Sequence, residues 1–347
     1  MRSKKIFILF IVFLTFIFGI FGSLSYSQPK TSPEKIFKLT LSFWGTLAEP
    51  MGKALQEYVA EVDKKTNGRV KITIHPGGSL TPGPQAYEGL VAGLSDLAFV
   101  LHAYTPGRFP LIMAWTIPFG ISSAKVATEI FYESIEKFKP KEWADTKLMY
   151  FTTPTAIHFF TTKKPIKRIE DFRGMKFRTL GWMAEYIKQL GAIPISMPVS
   201  EIYSALDRGV IDGTINNLLT LKDWRFADVV KYVHLFDFPG VTSSWGLHMN
   251  WKVWNGLPPD IQQIFEEANK KYPWRQIEYQ EEADKAGIEL ALSKGVQIIK
   301  GSPELSEEMK KRVPSVFEAY IKSMEGKGLP VREFVKFIQE RVEKYPK

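Results

Sequence analysis

The chain has 347 residues, no cysteine, and a formal charge of +9 from 46 Lys and Arg against 37 Asp and Glu. The missing cysteines exclude disulfide frameworks, thiolate metal sites and a lipid-modified cysteine at the N-terminus. The basic excess lies in mixed clusters, such as Lys310-Lys311-Arg312 beside Glu307-Glu308, so it fits a solvated surface with weak attraction for anions and gives no concentrated stripe for nucleic acid.

Residues 1–27 read as an address. Arg2, Lys4 and Lys5 precede an uncharged run from Ile6 to Phe21, and Ser25-Tyr26-Ser27 then offers small residues at the positions a signal peptidase reads. A cleaved secretory signal peptide is expected, with a retained anchor as the competing reading because the run approaches the roughly 20 residues that span a bilayer. Cleavage removes those three basic residues and no acid, taking the charge from +9 to +6. The remaining chain is long enough for two lobes with cores of their own.

Phe37 to Phe43 alternates as a first strand, and Pro50 to Lys65 carries a helical stripe of Met51, Leu55, Tyr58, Val59 and Val62. Asn67-Gly68 ends that helix, and Val70 to His75 is a second strand. Pro84 suits the first turn of a helix reaching Leu90, and Leu97 to Leu101 reads as a short buried strand. This strand–helix alternation defines an α/β lobe. The pattern restarts with strands at Lys147–Thr152, Ile157–Thr161 and Met175–Arg178, and with a helix from Ala184 to Leu190. Ser200 is expected to cap a helix over Glu201–Asp207, before an extended segment into Asp212-Gly213. Trp245 to Trp251 suggests a strand crossing back to the first lobe. Pro259 to about Leu292 is a long charged helical stretch interrupted by Pro273, and Leu305–Lys327 and Val331–Tyr345 are further amphipathic helices. The expected division is therefore residues 36–155 plus about 242–283 for lobe I, and about 156–241 plus 284–347 for lobe II.

Catalytic signatures are sparse. The five histidines are isolated, and no His-Glu-x-x-His, Gly-x-Ser-x-Gly, Walker loop or Gly-x-Gly-x-x-Gly occurs. The sequence assigns no cofactor and no metal. Binding readings are stronger. Arg178 stands at a strand end, followed by a glycine turn and Trp182; its planar, forked donors suit a carboxylate, while pairing with a neighbouring acid is the structural alternative. Asn216 and Asn217 follow a strand and either bond a ligand or cap a loop. Trp44, His102, Tyr104 and Phe119 lie near strand ends of the first lobe, where open α/β sheets place ligands; each is either packing or a wall for a flat, apolar body.

Four stretches in order then resemble one family. They are Lys64-Lys-Thr-Asn-Gly-Arg-Val-Lys-Ile leading to Pro76-Gly-Gly-Ser-Leu80, and Gly89-Leu-Val-Ala-Gly-Leu-Ser-Asp-Leu-Ala98. The others are Pro165-Ile-Lys-Arg-Ile-Glu-Asp-Phe-Arg-Gly-Met-Lys-Phe-Arg178 and Ser200-Glu-Ile-Tyr-Ser-Ala-Leu-Asp-Arg-Gly-Val-Ile-Asp-Gly213. From Phe37 to the last helices the chain resembles the substrate-binding subunit of a TRAP (tripartite ATP-independent periplasmic) transporter, of the dicarboxylate-receptor type. The resemblance implies an α/β, two-lobed periplasmic-binding-protein-like fold, with a ligand cleft between lobes and a long helix spanning both. It implies a non-enzymatic periplasmic protein that captures a small organic anion for ion-coupled uptake through small and large membrane subunits. The family's carboxylate-gripping arginine falls on Arg178, and its amide falls on Asn216 with Asn217 next. Where sialic-acid binders carry a further arginine, this chain has His158, so a monocarboxylate with an aromatic or apolar body is the narrower expectation. An extracytoplasmic sensor module and a secreted enzyme are the alternative classes.

Overall fold

The computed structural model describes residues 35–345, so the leader expected at 1–27 lies outside the described residues. The chain divides into two compact units, Met1–Ile36 and Phe37–Lys347, and all that follows concerns the second. Among the described residues no helix is long and apolar enough to cross a membrane.

Lobe I is built on a five-stranded sheet in the order β2-β1-β3-β10-β4. Its strands are β1 (Phe37–Phe43), β2 (Val70–His75), β3 (Leu97–Leu101), β4 (Thr146–Thr152) and β10 (Trp245–Asn250). β1 runs parallel to β2 and β3, whereas β10 is antiparallel to β3 and β4. Helix α1 (Pro50–Lys65) starts on a proline, carries Lys64 and Lys65 in its last turn, and hands over to Asn67 and Gly68 at positive φ. A 3-10 turn at Gly83–Gln85 leads into α2 (Ala86–Val91). α3 (Ala124–Phe138) starts where Ser123 Oγ accepts the Val126 N–H at 3.3 Å.

Lobe II carries a six-stranded sheet in the order β11-β9-β5-β8-β6-β7. Here β5 (His158–Thr161) is antiparallel to both β8 (Gly213–Asn216) and β9 (Tyr232–Leu235). β6 (Lys176–Arg178) is parallel to β7 (Ile193–Ile195) and β8, and β11 (Gln297–Lys300) is parallel to β9. The helices of this lobe are α4 (Met183–Gln189), α5 (Val199–Asp207) and the short α6 (Thr220–Asp223). α5 begins one residue before the expected cap: Pro198 occupies the N-cap position, with no side-chain cap bond, and Ser200 lies inside the first turn.

The chain crosses between lobes at residues 153–157 and returns at 236–244, so each sheet holds one antiparallel strand delivered by a crossing. A third connection follows the short α7 (Trp251–Gly256). It is α8 (Pro259–Ser293), 35 residues and about 52 Å long. Its first half buries Ile261, Phe265, Ala268 and Tyr272 in the lobe I core, and Ala291 near its end joins the lobe II core. Pro273 does not interrupt it. The proline removes one donor, but the helix stays anchored on both sides, with Tyr58 donating to Asn269 at 2.9 Å and Gln280 donating to the Thr153 carbonyl at 3.2 Å. Where α8 passes lobe II, a Cβ on Gly287 would stand 2.2 Å from the Leu218 carbonyl oxygen, so only glycine permits the approach.

The C-terminal helices α9 (Pro303–Lys310), α10 (Val313–Ser323) and α11 (Val331–Lys344) do not all follow the expected division. Tyr186 of α4 donates to the Met309 carbonyl at 3.3 Å, which keeps α9 on lobe II. α11 instead lays Phe334 and Phe337 against Phe138 of α3, and Arg341 pairs with Glu133 at 2.6 Å. Its apolar stripe of Val331, Phe334, Val335, Phe337 and Ile338 is buried against lobe I.

Candidate functional site

The carboxyl ends of the parallel strands in both sheets converge on one cavity, the position where open α/β sheets bind ligands. β1 delivers Trp44, the turn after β3 delivers Tyr104, and the antiparallel β10 begins at the same edge with Trp245. From lobe II, β6 ends on Arg178 and β8 ends on Asn216, followed by Asn217. Pro154 and Ile157 of one crossing and Thr242 and Ser243 of the other line the floor. The cavity volume is about 90 Å³, and the walls are mainly apolar and aromatic. Trp44 packs edge-on against Tyr104 at 5.9 Å and Trp245 at 6.4 Å between ring centroids, making one aromatic wall.

Arg178 is the single charged residue in this lining among the described residues. It is only 5% exposed, and its Nε donates to the Met197 carbonyl at 3.0 Å. No carboxylate lies within ion-pair distance among the described residues, so the alternative of pairing with a neighbouring acid does not describe this arginine. Burial lowers its pKa, with the Tyr104 hydroxyl acting in the opposite sense, yet a guanidinium keeps its proton. A buried cation with unused donors costs several kcal/mol unless an anion joins it.

Hydrogen bonds cross the cleft around this cation. The Tyr104 hydroxyl of lobe I accepts the Val199 N–H at the start of α5 at 2.9 Å. The Trp224 indole N–H of lobe II donates to Glu49 Oε2 at 3.2 Å, and the Trp182 N–H donates to Thr116 Oγ1 at 2.8 Å. Asn216 Nδ2 donates to Thr214 Oγ1 at 2.7 Å, which fixes the amide at the strand end.

Of the residues singled out in the sequence, the cavity brings together Trp44, Tyr104, Arg178, Asn216 and Asn217 and leaves out four. His102 is fully buried in lobe I, with Nδ1 3.1 Å from Ser244 Oγ and Nε2 3.2 Å from His248 Nε2; burial lowers its pKa to about 4. Phe119 packs on Trp115 and on Phe317 of α10, away from the cavity. Trp182 leaves the wall after the Gly181 turn and meets Tyr320 edge-on at 5.3 Å. His158 pairs with Asn216 in the β5–β8 register without reaching the lining, and burial lowers its pKa to about 4, so it brings no positive charge. Trp224 and Trp245 also line the cavity and are not legible as site residues in the sequence. Each sits beside a strand or helix end, but only the lobe-to-lobe geometry points an indole at a cleft.

Two α/β lobes joined by crossing segments, with a cleft built over one buried cation, define a solute-binding protein. The chain belongs to the DctP family, the bacterial extracellular solute-binding proteins of family 7, which it matches over residues 43–323. The monocarboxylate 2-oxoacid-binding periplasmic protein of Nostoc sp. is 26% identical over 293 residues, covering 82% of this chain and 79% of that protein. A TRAP periplasmic solute-binding protein of Desulfovibrio salexigens superposes with a TM-score of 0.77 at 25% identity, covering 90% of this chain and 97% of the other. A TRAP solute-binding protein of Rhodoferax ferrireducens, in complex with copurified benzoate, superposes at 0.82 with 24% identity, covering 88% and 98%.

Proposed function

We propose that this chain captures a small organic acid outside the cytoplasmic membrane and delivers it to the membrane subunits of a TRAP transporter. The carrying observation is Arg178, a buried guanidinium with no carboxylate partner among the described residues, facing a largely apolar cavity between two lobes. One fixed cation favours one carboxylate, because a second anionic group would be desolvated with nothing to pair it. The aromatic wall of Trp44, Tyr104 and Trp245 favours a flat or apolar body. The ligand is therefore a monocarboxylate of aromatic or apolar character, gripped by Arg178 with Asn216 or Asn217 at its side. Closure around it binds the anion more tightly than the open cleft does, and that difference drives the change of shape.

A thermal-shift screen of refolded, ligand-stripped protein tests this against benzoate, mandelate, 2-oxo monocarboxylates and C4-dicarboxylates. Ligand at a hundred times its Kd adds about 2.7 kcal/mol. Stabilisation by the monocarboxylates alone supports the reading, and stabilisation by dicarboxylates alone contradicts it.

A further inference from the structure

Glu49 precedes the first residue of α1 and is 1% exposed. Its Oε1 accepts the Thr46 N–H at 2.7 Å, and its Oε2 accepts the Trp224 indole N–H from the other lobe at 3.2 Å. Trp224 lines the cavity, so a carboxyl group of lobe I holds a wall contributed by lobe II. Beside that indole in sequence stands Asp223, whose Oδ2 is buried without a hydrogen-bond partner. We propose that Glu49 is a positioning residue whose carboxyl group fixes Trp224 against the ligand as the cleft closes, and that closure takes up protons at Glu49 and Asp223. This rests on the capture reading above, because it concerns the closing of that same cleft.

The surroundings carry charges of both signs. Asp223 faces Glu49, Lys53 of α1 and Lys222 of α6 face Asp223, and Asp284 of α8 faces Asp223 with Glu281 behind it. The Tyr104 phenol faces Glu49 and brings no positive charge. Burial, then Asp223, pushes the Glu49 carboxyl up to about 7 against the opposing N–H donors, and burial pushes Asp223 up to about 6. Opening the cleft returns both to water, where carboxyls titrate near 4. The closed form therefore binds more protons than the open one. Its population relative to the open form is greatest in acid. It falls by up to about a hundredfold per pH unit between about pH 5 and 6, where both groups are shifted, and by up to about tenfold per unit from there to 7, and levels off above that.

The test reads the distance between lobes directly. The chain has no cysteine, so Lys38→Cys in β1 and Asp207→Cys in α5, both exposed, are unique sites for spin labels. Inter-label distances are measured by pulsed electron paramagnetic resonance at about pH 5, 6, 7 and 8, without ligand and with saturating benzoate. The labelled protein should shift toward the longer distance as pH rises. Glu49→Gln, which keeps an acceptor for Trp224, should lose the response between about pH 6 and 7 and keep only that of Asp223 below it, and Asp223→Asn should weaken the response below about pH 6 and move the Glu49 midpoint to lower pH. A pH response unchanged in Glu49→Gln, or none in the labelled parent with and without benzoate, overturns the proposal. The two readings fail separately: benzoate that leaves the distances untouched counts against the ligand class, whereas the pH response decides the proton.

Discussion

Replacing Arg178 with methionine should abolish capture while leaving the ligand-free protein as stable as before or more so. The two effects have opposite signs because the guanidinium is 5% exposed and its one backbone bond is to Met197. Exchanging buried ions for apolar side chains of similar volume is neutral or stabilising by about 1–4 kcal/mol. Among the described residues no acid is stranded by the change, and the lost bond to the Met197 carbonyl takes back about 1 kcal/mol. The net is about 0–3 kcal/mol in favour of the variant, a rise in Tm of up to several degrees. On the ligand side, removing one partner of a buried charged pair costs about 2–5 kcal/mol. That is a loss of about thirtyfold to several thousandfold in affinity. Differential scanning fluorimetry with and without benzoate reads both numbers in one experiment. A variant that keeps the ligand-induced shift, or whose ligand-free Tm falls by many degrees, would refute the reasoning by showing that the guanidinium serves the fold.

Tyr104→Phe should remove the acceptor that lobe I offers to the Val199 N–H, speeding ligand release by about five- to thirtyfold, or about 1–2 kcal/mol, with no change in Tm beyond that range; stopped-flow dissociation unchanged from the parent would contradict it. Gly287→Ala would ordinarily gain about 1 kcal/mol inside a helix. At 2.2 Å from the Leu218 oxygen it should instead cost about 1–3 kcal/mol, and a higher melting temperature would contradict the close approach. Burial raises Glu49 and Glu142 to about 7 and Asp223 and Asp284 to about 6, so the folded chain holds more protons than the unfolded one near neutrality. Stability from these groups is fully present below the unfolded carboxyl values and is lost as pH rises through 6 and 7. Below about pH 6.5 the buried His102, His158 and His234, lowered to about 4, act in the opposite sense. Tm should therefore fall between about pH 6.5 and 8, and Glu142→Gln should reduce that fall; a Tm that rises over this range would contradict the assignment.

The α/β character was legible because strand and helix periodicities alternate over long segments, and Trp245 to Asn250 was readable as a strand returning to lobe I. The short strands β7, β9 and β11 are not legible in the sequence, because three or four residues carry too little alternation. α3 carries signals that the sequence reading above does not use: Ser123 caps it, and its stripe of Ala127, Ile130 and Phe131 is buried. The Pro273 break failed for a different reason: tertiary contacts on both sides of the proline outweigh one missing donor. At the site, Arg178 and the two asparagines were readable from strand-end position and family resemblance. His102 and Phe119 have the same residue types and the same placement near strand ends, yet they point into cores. Which face of a turn a side chain takes is set by the neighbouring lobe and the C-terminal helices, which one-dimensional spacing does not encode.

Isothermal titration of ligand-stripped protein with benzoate and with succinate, each at one pH and one salt concentration, tests the central claim most directly. A single buried cation in an apolar, aromatic-walled cleft predicts saturable one-to-one binding of benzoate and none of succinate. Tight succinate binding with no heat from benzoate would mean that a second cation joins Arg178 in the closed cleft, and the monocarboxylate assignment would be wrong.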